Sequence, residues 1–171
     1  MEDYAKIVGK NIRDLRIRFR MTQAALAYDI GCTEQSIRYW EKGRGVPVGK
    51  GRPRFTRAGH AYTPEKTAAY EDKVRLCWKT QSGQGFAGGI PLRASIMAYF
   101  PVPKSVSKKK AAEMEGKFHT KKCDADNLCK SIFDALNGCA YPDDSAVQID
   151  RCWKVYTNGA PRVEVEIREA E

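Results

Sequence analysis

Apolar side chains along the 171-residue chain recur first with the period of helices and later with that of strands. Ile7, Ile12, Leu15 and Phe19 stand at near-helical spacing with Arg13, Arg16, Arg18 and Arg20 between them, predicting a basic amphipathic first helix. Thr22 is placed to cap a second helix from Gln23 to Ile30, Gly31 to permit a tight turn, and Thr33 to cap a third helix that runs to Lys42 and ends at Gly43. The glycines and prolines between Gly43 and Pro53 exclude a continuing helix and divide residues 1–43 from residues 44–171. Beyond them Thr63 and Pro64 are expected at the cap and first position of a helix whose apolar face is Tyr70, Val74, Cys77 and Trp78. Leu92, Ala94, Ile96, Ala98 and Phe100 alternate with Arg93, Ser95, Met97 and Tyr99, the period of a strand buried on one side and stopped by Pro101 and Pro103. Leu128, Ile132, Ala135 and Leu136 form the face of another helix, closed by Asn137-Gly138. Two alternating strands follow, Val147 to Val155 and Val163 to Ile167, and the Asn158-Gly159 pair between them predicts a hairpin.

Charge changes this picture more than composition does. Lys and Arg number 30 against 21 Asp and Glu, a formal +9, and both parts of the chain are basic, which favours a polyanionic partner, nucleic acid before a membrane surface. A mean hydropathy of −0.56 with 42% hydrophobic residues fits a soluble protein with a packed core. No apolar run approaches the roughly 18 residues that a membrane span needs, so a cytosolic protein is expected. The six cysteines contain no C-x-x-C pair and have only His60 and His119 to join them, which argues against structural zinc and for reduced thiols.

The spacing of Ala27, Gly31 and Ile37 resembles the Cro/C1-type helix-turn-helix family: a small residue where two helices cross, a glycine in the turn and an apolar residue in the core. The resemblance implies that Thr33, Glu34, Gln35, Arg38 and Tyr39 face the major groove and that Gln23 sits near a phosphate. Without it, the same residues make a small helical packing module. That family usually closes its core with two further helices. Here the chain passes directly into glycine- and proline-rich sequence, so the third helix is expected to lean on the next domain.

The chemistry is expected in CDADNLCKSIFDALNG. Asp126, Lys130 and Asp134 lie four residues apart on the face opposite Leu128 and Ile132, Asp124 precedes the helix, and Asp143-Asp144 occupy the turn after it. A reversal of the chain there would bring the acids together. Grouped carboxylates suit a hard divalent ion such as Mg2+, which keeps waters for substrate phosphates to share, and this arrangement fits phosphodiester hydrolysis with Lys130 neutralising charge on the phosphate. Taken singly, Asp124 or Asp126 is an N-cap, Asp143-Asp144 a turn pair, and Asp134 a partner of Lys130. Together in a basic domain they argue for a metal, because acids without one would repel a polyanion. Lys108, Lys109, Lys110, Lys121 and Lys122 are candidates to hold the DNA backbone.

The blocks GRPRFTR, AYTPEKTAAYEDKV, PKSVSKKK, HTKKCDADNLCKSIFDALNG, YPDDSAV and WKVY stand in an order that resembles the RusA family of Holliday junction resolvases, small phage and prophage nucleases. The resemblance implies an α/β fold, a mixed sheet with helices over residues 44–171, preceded here by the small all-α helix-turn-helix segment of residues 1–43. It implies metal ligands at Asp124, Asp126 and Asp144, an active-site lysine at Lys130, and dependence on Mg2+ with Mn2+ as a substitute. It also implies homodimers that nick opposing strands of four-way junctions in recombination and repair. Cys123 stands where the family usually has proline. The family's short first strand is replaced by the helical segment, leaving a sheet edge to be built from Val46 to Gly49 or lost. The rival expectation is a sequence-specific DNA-binding regulator whose resolvase-like domain is inactive.

Overall fold

A computed structural model describes residues 4–43, 54–55, 61–62, 64–83 and 85–170. Three helices lead: α1 (Tyr4–Arg18), α2 (Gln23–Ile30) and α3 (Glu34–Glu41). Their ends form where the sequence places them. Thr22 Oγ1 accepts from the Ala25 N–H at 3.0 Å and Thr33 Oγ1 from the Ser36 N–H at 3.1 Å, each satisfying an amide that the helix leaves open. Gly31 takes a φ of +70° and closes α2. Ala27 and Ile37 are buried in the small core between these helices.

The expected apolar stripe of α1 is only partly used. Ile12 packs on that core, whereas Leu15 and Phe19 are exposed, and the Ile7 side chain lies outside the described residues. The helix is held by other means. Arg16 Nε donates to Glu41 at 2.5 Å, Arg16 Nη1 to the Met21 carbonyl at 2.9 Å, and Gln23 Nε2 to Glu41 at 2.7 Å. Gly9 lies so close to the end of α3 that a Cβ there would collide with the Trp40 carbonyl oxygen.

A two-stranded antiparallel pair, β1 (Arg54–Phe55) and β2 (Ala61–Tyr62), precedes α4 (Glu65–Gln81). The cap of α4 is Pro64, with ψ at 138°, so the helix starts one residue later than expected; Thr63 and the expected edge segment Val46 to Gly49 lie outside the described residues. Proline fits at a helix entrance because the N–H it lacks has no intrahelical partner. Both faces of α4 are used. Tyr70, Val74 and Trp78 pack on the sheet core, while Ala69 and Leu76 pack on the helical core.

The sheet has the order β4–β3–β5, with β3 (Leu92–Pro101) central, β4 (Val147–Thr157) parallel to it and β5 (Arg162–Glu169) antiparallel. Helices α5 (Lys108–Met114) and α6 (Ala125–Leu136) lie in the crossover between β3 and β4, as a parallel pair requires. The expected β4–β5 hairpin is therefore wrong. Neither Asn158 nor Gly159 has the positive φ of a tight hairpin turn. Instead Asn158 Nδ2 donates to the Ala111 carbonyl at 2.9 Å and its N–H to Glu115 at 2.5 Å, which draws the turn onto α5. The most apolar strand, with Leu92, Ala94, Ile96 and Ala98 fully buried, takes the centre. The side of β4 away from β3 is partly covered by residues 116–119, through Gly116 N–H to Tyr156, Tyr156 N–H to Lys117 and His119 N–H to Lys154.

Candidate active site

Burial of Leu128, Ile132 and Leu136 in the sheet core, with Ala135 also buried, fixes the rotation of α6 and turns Asp126 and Lys130 to solvent. Asp124 occupies the N-cap position, but its side chain makes no cap hydrogen bond and is exposed. Two carboxylates therefore stand free at the positive end of a helix, an environment that favours negative charge. Lys130 follows one turn later and forms no ion pair among the described residues.

The entrance to α6 is clamped by β4. Lys154 Nζ donates to the Cys123 carbonyl at 2.5 Å and to the Lys121 carbonyl at 3.1 Å, and Cys152 Sγ reaches the Ala125 carbonyl at 3.6 Å. Sequence reasoning missed both residues. Their signal is the alternation in RCWKVY, which puts Cys152 and Lys154 on the helix side of the strand. The hydrogen bond between the two thiols is the main influence on both: it pushes Cys129 up, together with burial and the Asp126 charge, and holds Cys152 below the usual thiol range, where Lys154 also acts, against burial and the Asp126 charge.

Asp144 is placed elsewhere. It opens a single 3-10 turn, Asp144–Ala146, capped by Asp143, whose Oδ1 accepts from the Ser145 N–H at 2.8 Å; the Ser145 side chain first and this N–H second hold the exposed Asp143 carboxyl below its ordinary range. Burial pushes the Tyr141 hydroxyl up, and the charges of Asp144 and Asp134 add to the effect. Tyr141 donates to the Phe133 carbonyl at 3.2 Å, which places this acidic group at the C-terminal end of α6. Asp126 and Asp134 are eight residues apart, a rise of about 12 Å along a helix. Among the described residues no three His, Cys, Asp or Glu side chains converge to hold a metal. The expected triad of Asp124, Asp126 and Asp144 is thus not assembled within one chain, because the turn after α6 keeps Asp144 beside the helix end. The Asp124 and Asp126 pair by itself suits a Mg2+ ion that takes one or two carboxylates and retains waters.

Lys108, Lys109 and Lys110 form the exposed first turn of α5, and Lys121 and Lys122 are exposed in the loop that enters Asp124. In the helical segment Gln35 is exposed, and Glu34 and Arg38 are exposed but joined at 2.8 Å. Tyr39 is buried with Ile37, Trp40 and Ala69, which corrects its expected place toward the groove. Gln23 is turned to Glu41 instead of outward; burial would raise the Glu41 carboxyl, but hydrogen bonds from Arg16 and Gln23 hold it below its ordinary range. Thr33 is exposed but tied to α4. Its N–H and hydroxyl donate to Asp72 of α4 at 3.3 and 3.2 Å, Ser36 donates to the same oxygen, and Arg75 donates to the other at 2.6 Å and to the Ala135 carbonyl at 3.1 Å.

No described helix is long and apolar enough to cross a membrane. A protein of Bacillus subtilis (strain 168), named only as uncharacterized protein YqaN, is 39% identical to this chain over 132 residues, 73% of this chain and 92% of that protein. Residues 44–168, which include α4, α6 and all but the last residue of the three-stranded sheet, match the family model described as endodeoxyribonuclease RusA. That family acts on branched DNA, with Holliday junction resolution as its general activity. With this match spanning most of the sequence, the chain belongs to the RusA family of endodeoxyribonucleases.

Proposed function

We propose that this chain is a Mg2+-dependent endonuclease that resolves Holliday junctions by paired nicks in opposing strands, acting as a homodimer in recombination and repair. The observation that carries the proposal is the pair of free, exposed carboxylates Asp124 and Asp126 at the start of α6, one turn from an unpaired Lys130, on a surface rich in lysine. Asp124 and Asp126 would hold the ion, which supplies a Lewis acid for the scissile phosphate and a lowered pKa for water. Lys130 is placed to neutralise charge that develops on the phosphate oxygens, and Lys121 and Lys122 to hold the backbone beside it. Asp144 enters as a third ligand through the family resemblance alone and is tested with the others. Two opposed nicks need two sites, which is the reason to propose a homodimer.

Residues 1–43, docked on α4, are proposed to add DNA affinity. A sequence-reading regulator is less well supported, since Tyr39 is buried, Thr33 is hydrogen-bonded to Asp72 and Arg38 is tied to Glu34. The test is nicking of a synthetic four-way junction against a linear duplex, with Mg2+ or Mn2+ and with chelator. Asp126→Asn is expected to lower the cleavage rate at least about 100-fold while junction binding persists, the scale of removing one electrostatic stabiliser of a transition state. Asp124→Asn and Asp144→Asn are expected to behave alike, and Lys130→Ala to lower kcat more than it raises KM. Wild-type rates in all three aspartate variants would overturn the metal assignment.

A further inference from the structure

Trp153 and Val155 of β4 stand in register with Met97 and Tyr99, on the sheet face away from α4 and α6. Phe118 bridges to Val155 from the covering segment and meets Trp153 edge to face, with ring centroids 6.0 Å apart and planes at 83°. Both rings are open to solvent, Phe118 at 65% and Trp153 at 45%. The neighbouring Tyr99 differs, because Arg162 lies over its ring at 3.6 Å. The Arg151 guanidinium stands 5.6 Å from the Trp153 ring, and Lys117, Lys121 and Lys122 are exposed within four residues of Phe118 in sequence, so cations flank the notch on the β4 edge, while Glu164 and Glu166 lie across β3 on β5.

An exposed aromatic pair loses hydrophobic stabilisation unless a ligand covers it. Two rings at right angles offer a flat face and an edge to a third planar ring, and the cations on the β4 edge, Arg151 nearest, favour a polyanion that carries such rings. We propose that Phe118 and Trp153 form a stacking site for an unpaired DNA base. Fully paired duplex cannot enter it, because its base faces are already stacked, whereas a strand at a branch point can. The inference rests on the nuclease reading for its position. Residues Cys152, Trp153 and Lys154 alternate across β4: the outer two hold the Ala125 and Cys123 carbonyls at the entrance to α6, and the ring between them faces the notch. A strand bent over this edge would present a phosphate to Asp124 and Asp126 and a nearby base to Phe118.

The test uses the full chain in chelator, so that binding is read without cleavage. An oligothymidylate of about twelve residues is expected to quench tryptophan emission in the wild type and to quench far less in Trp153→Phe, which retains Trp40 and Trp78. Phe118→Ala and Phe118→Leu are each expected to weaken oligothymidylate binding about tenfold and duplex binding less than about twofold, with Phe118→Tyr restoring affinity. Full quenching in Trp153→Phe, or equal losses on duplex and single strand, would overturn the stacking site. So would a loss of self-association in sedimentation for Phe118→Leu with oligothymidylate affinity unchanged, since the face would then join two copies of the chain. Intact quenching in a protein that nicks no junction with Mg2+ would sink the nuclease reading and leave the stacking site standing.

Discussion

The sheet core and the helical core meet on α4 and are closed by different forces. Around the sheet, Leu92, Ala94, Ile96, Ala98, Leu128, Ile132, Ala135 and Leu136 are all fully buried, so removal of apolar surface from water dominates. Among the described residues of the helical core, Ile37 alone reaches that state as a large apolar side chain, and much of the rest of the closure is polar. Trp40 Nε1 donates to the Ala69 carbonyl at 3.3 Å, and the Asp72 carboxylate gathers Thr33, Ser36 and Arg75. The expectation that α3 leans on the next domain is met in detail. A segment too short to close its own core borrows α4, and the borrowed surface is hydrogen-bonded as much as apolar.

The largest expected effects separate the two cores directly. Ile132→Ala should cost about 2–5 kcal/mol of global stability, the range for truncating a large buried aliphatic side chain. Ile37→Ala removes the same atoms, but much of its cost should appear as local opening of α2 and α3 with β3 amides still protected. Hydrogen exchange on both variants, beside denaturant unfolding, makes the comparison. If Ile37→Ala lowered β3 protection as far as Ile132→Ala does, the two cores would be one cooperative unit.

Asp72→Ala is expected to act on the joint between them. It strands two hydroxyls, the Thr33 amide and the Arg75 guanidinium, at a cost of about 1–3 kcal/mol, kept low because Arg75 is partly exposed and can rehydrate. Asp72→Asn, which keeps one acceptor oxygen, should cost less. A double-mutant cycle with Thr33→Val measures the coupling across the joint. Additive costs would show that Thr33 and Asp72 do not tie α3 to α4.

Much of both cores can be read from the sequence. Strict alternation from Leu92 to Phe100 and the spacing of Leu128, Ile132, Ala135 and Leu136 each match one buried face, because one tertiary surface decides each pattern. Thr22, Gly31 and Thr33 work as local signals, since a cap needs only the next few residues. The misreadings share a different cause. Asn158-Gly159 looks like a hairpin until Glu115 and the Ala111 carbonyl, more than 40 residues away in sequence, claim its hydrogen bonds. Tyr39 lies within a helix that also carries the exposed Gln35 and Arg38, and only the presence of α4 decides that its ring turns inward. The exposure of Asp126 and Lys130 is legible because they share the face that Leu128 and Ile132 leave outside, and the place of Asp124 because it immediately precedes the helix. The position of Asp144 is not, because it depends on where the turn after α6 places a single residue.

The smallest expected effect on stability separates the two regions by DNA affinity. Gln35 and Arg38 are exposed on α3 outside the joint with α4, and the Arg38–Glu34 pair is an exposed i,i+4 interaction worth about 0.3–0.5 kcal/mol. Gln35→Ala with Arg38→Ala should therefore leave the unfolding midpoint nearly unchanged. If the helical segment adds general affinity, linear duplex binding should weaken and the slope of log affinity against log salt should fall by roughly 0.9, the share of the single phosphate that Arg38 would neutralise. Junction nicking at saturating protein should persist, because neither side chain belongs to the segment that carries Asp124 and Asp126, and α3 packs on α1, α2 and α4 instead of α6. A duplex affinity and salt slope equal to wild type would confine DNA binding to residues 44–171 and leave the N-terminal helices a purely structural attachment to α4.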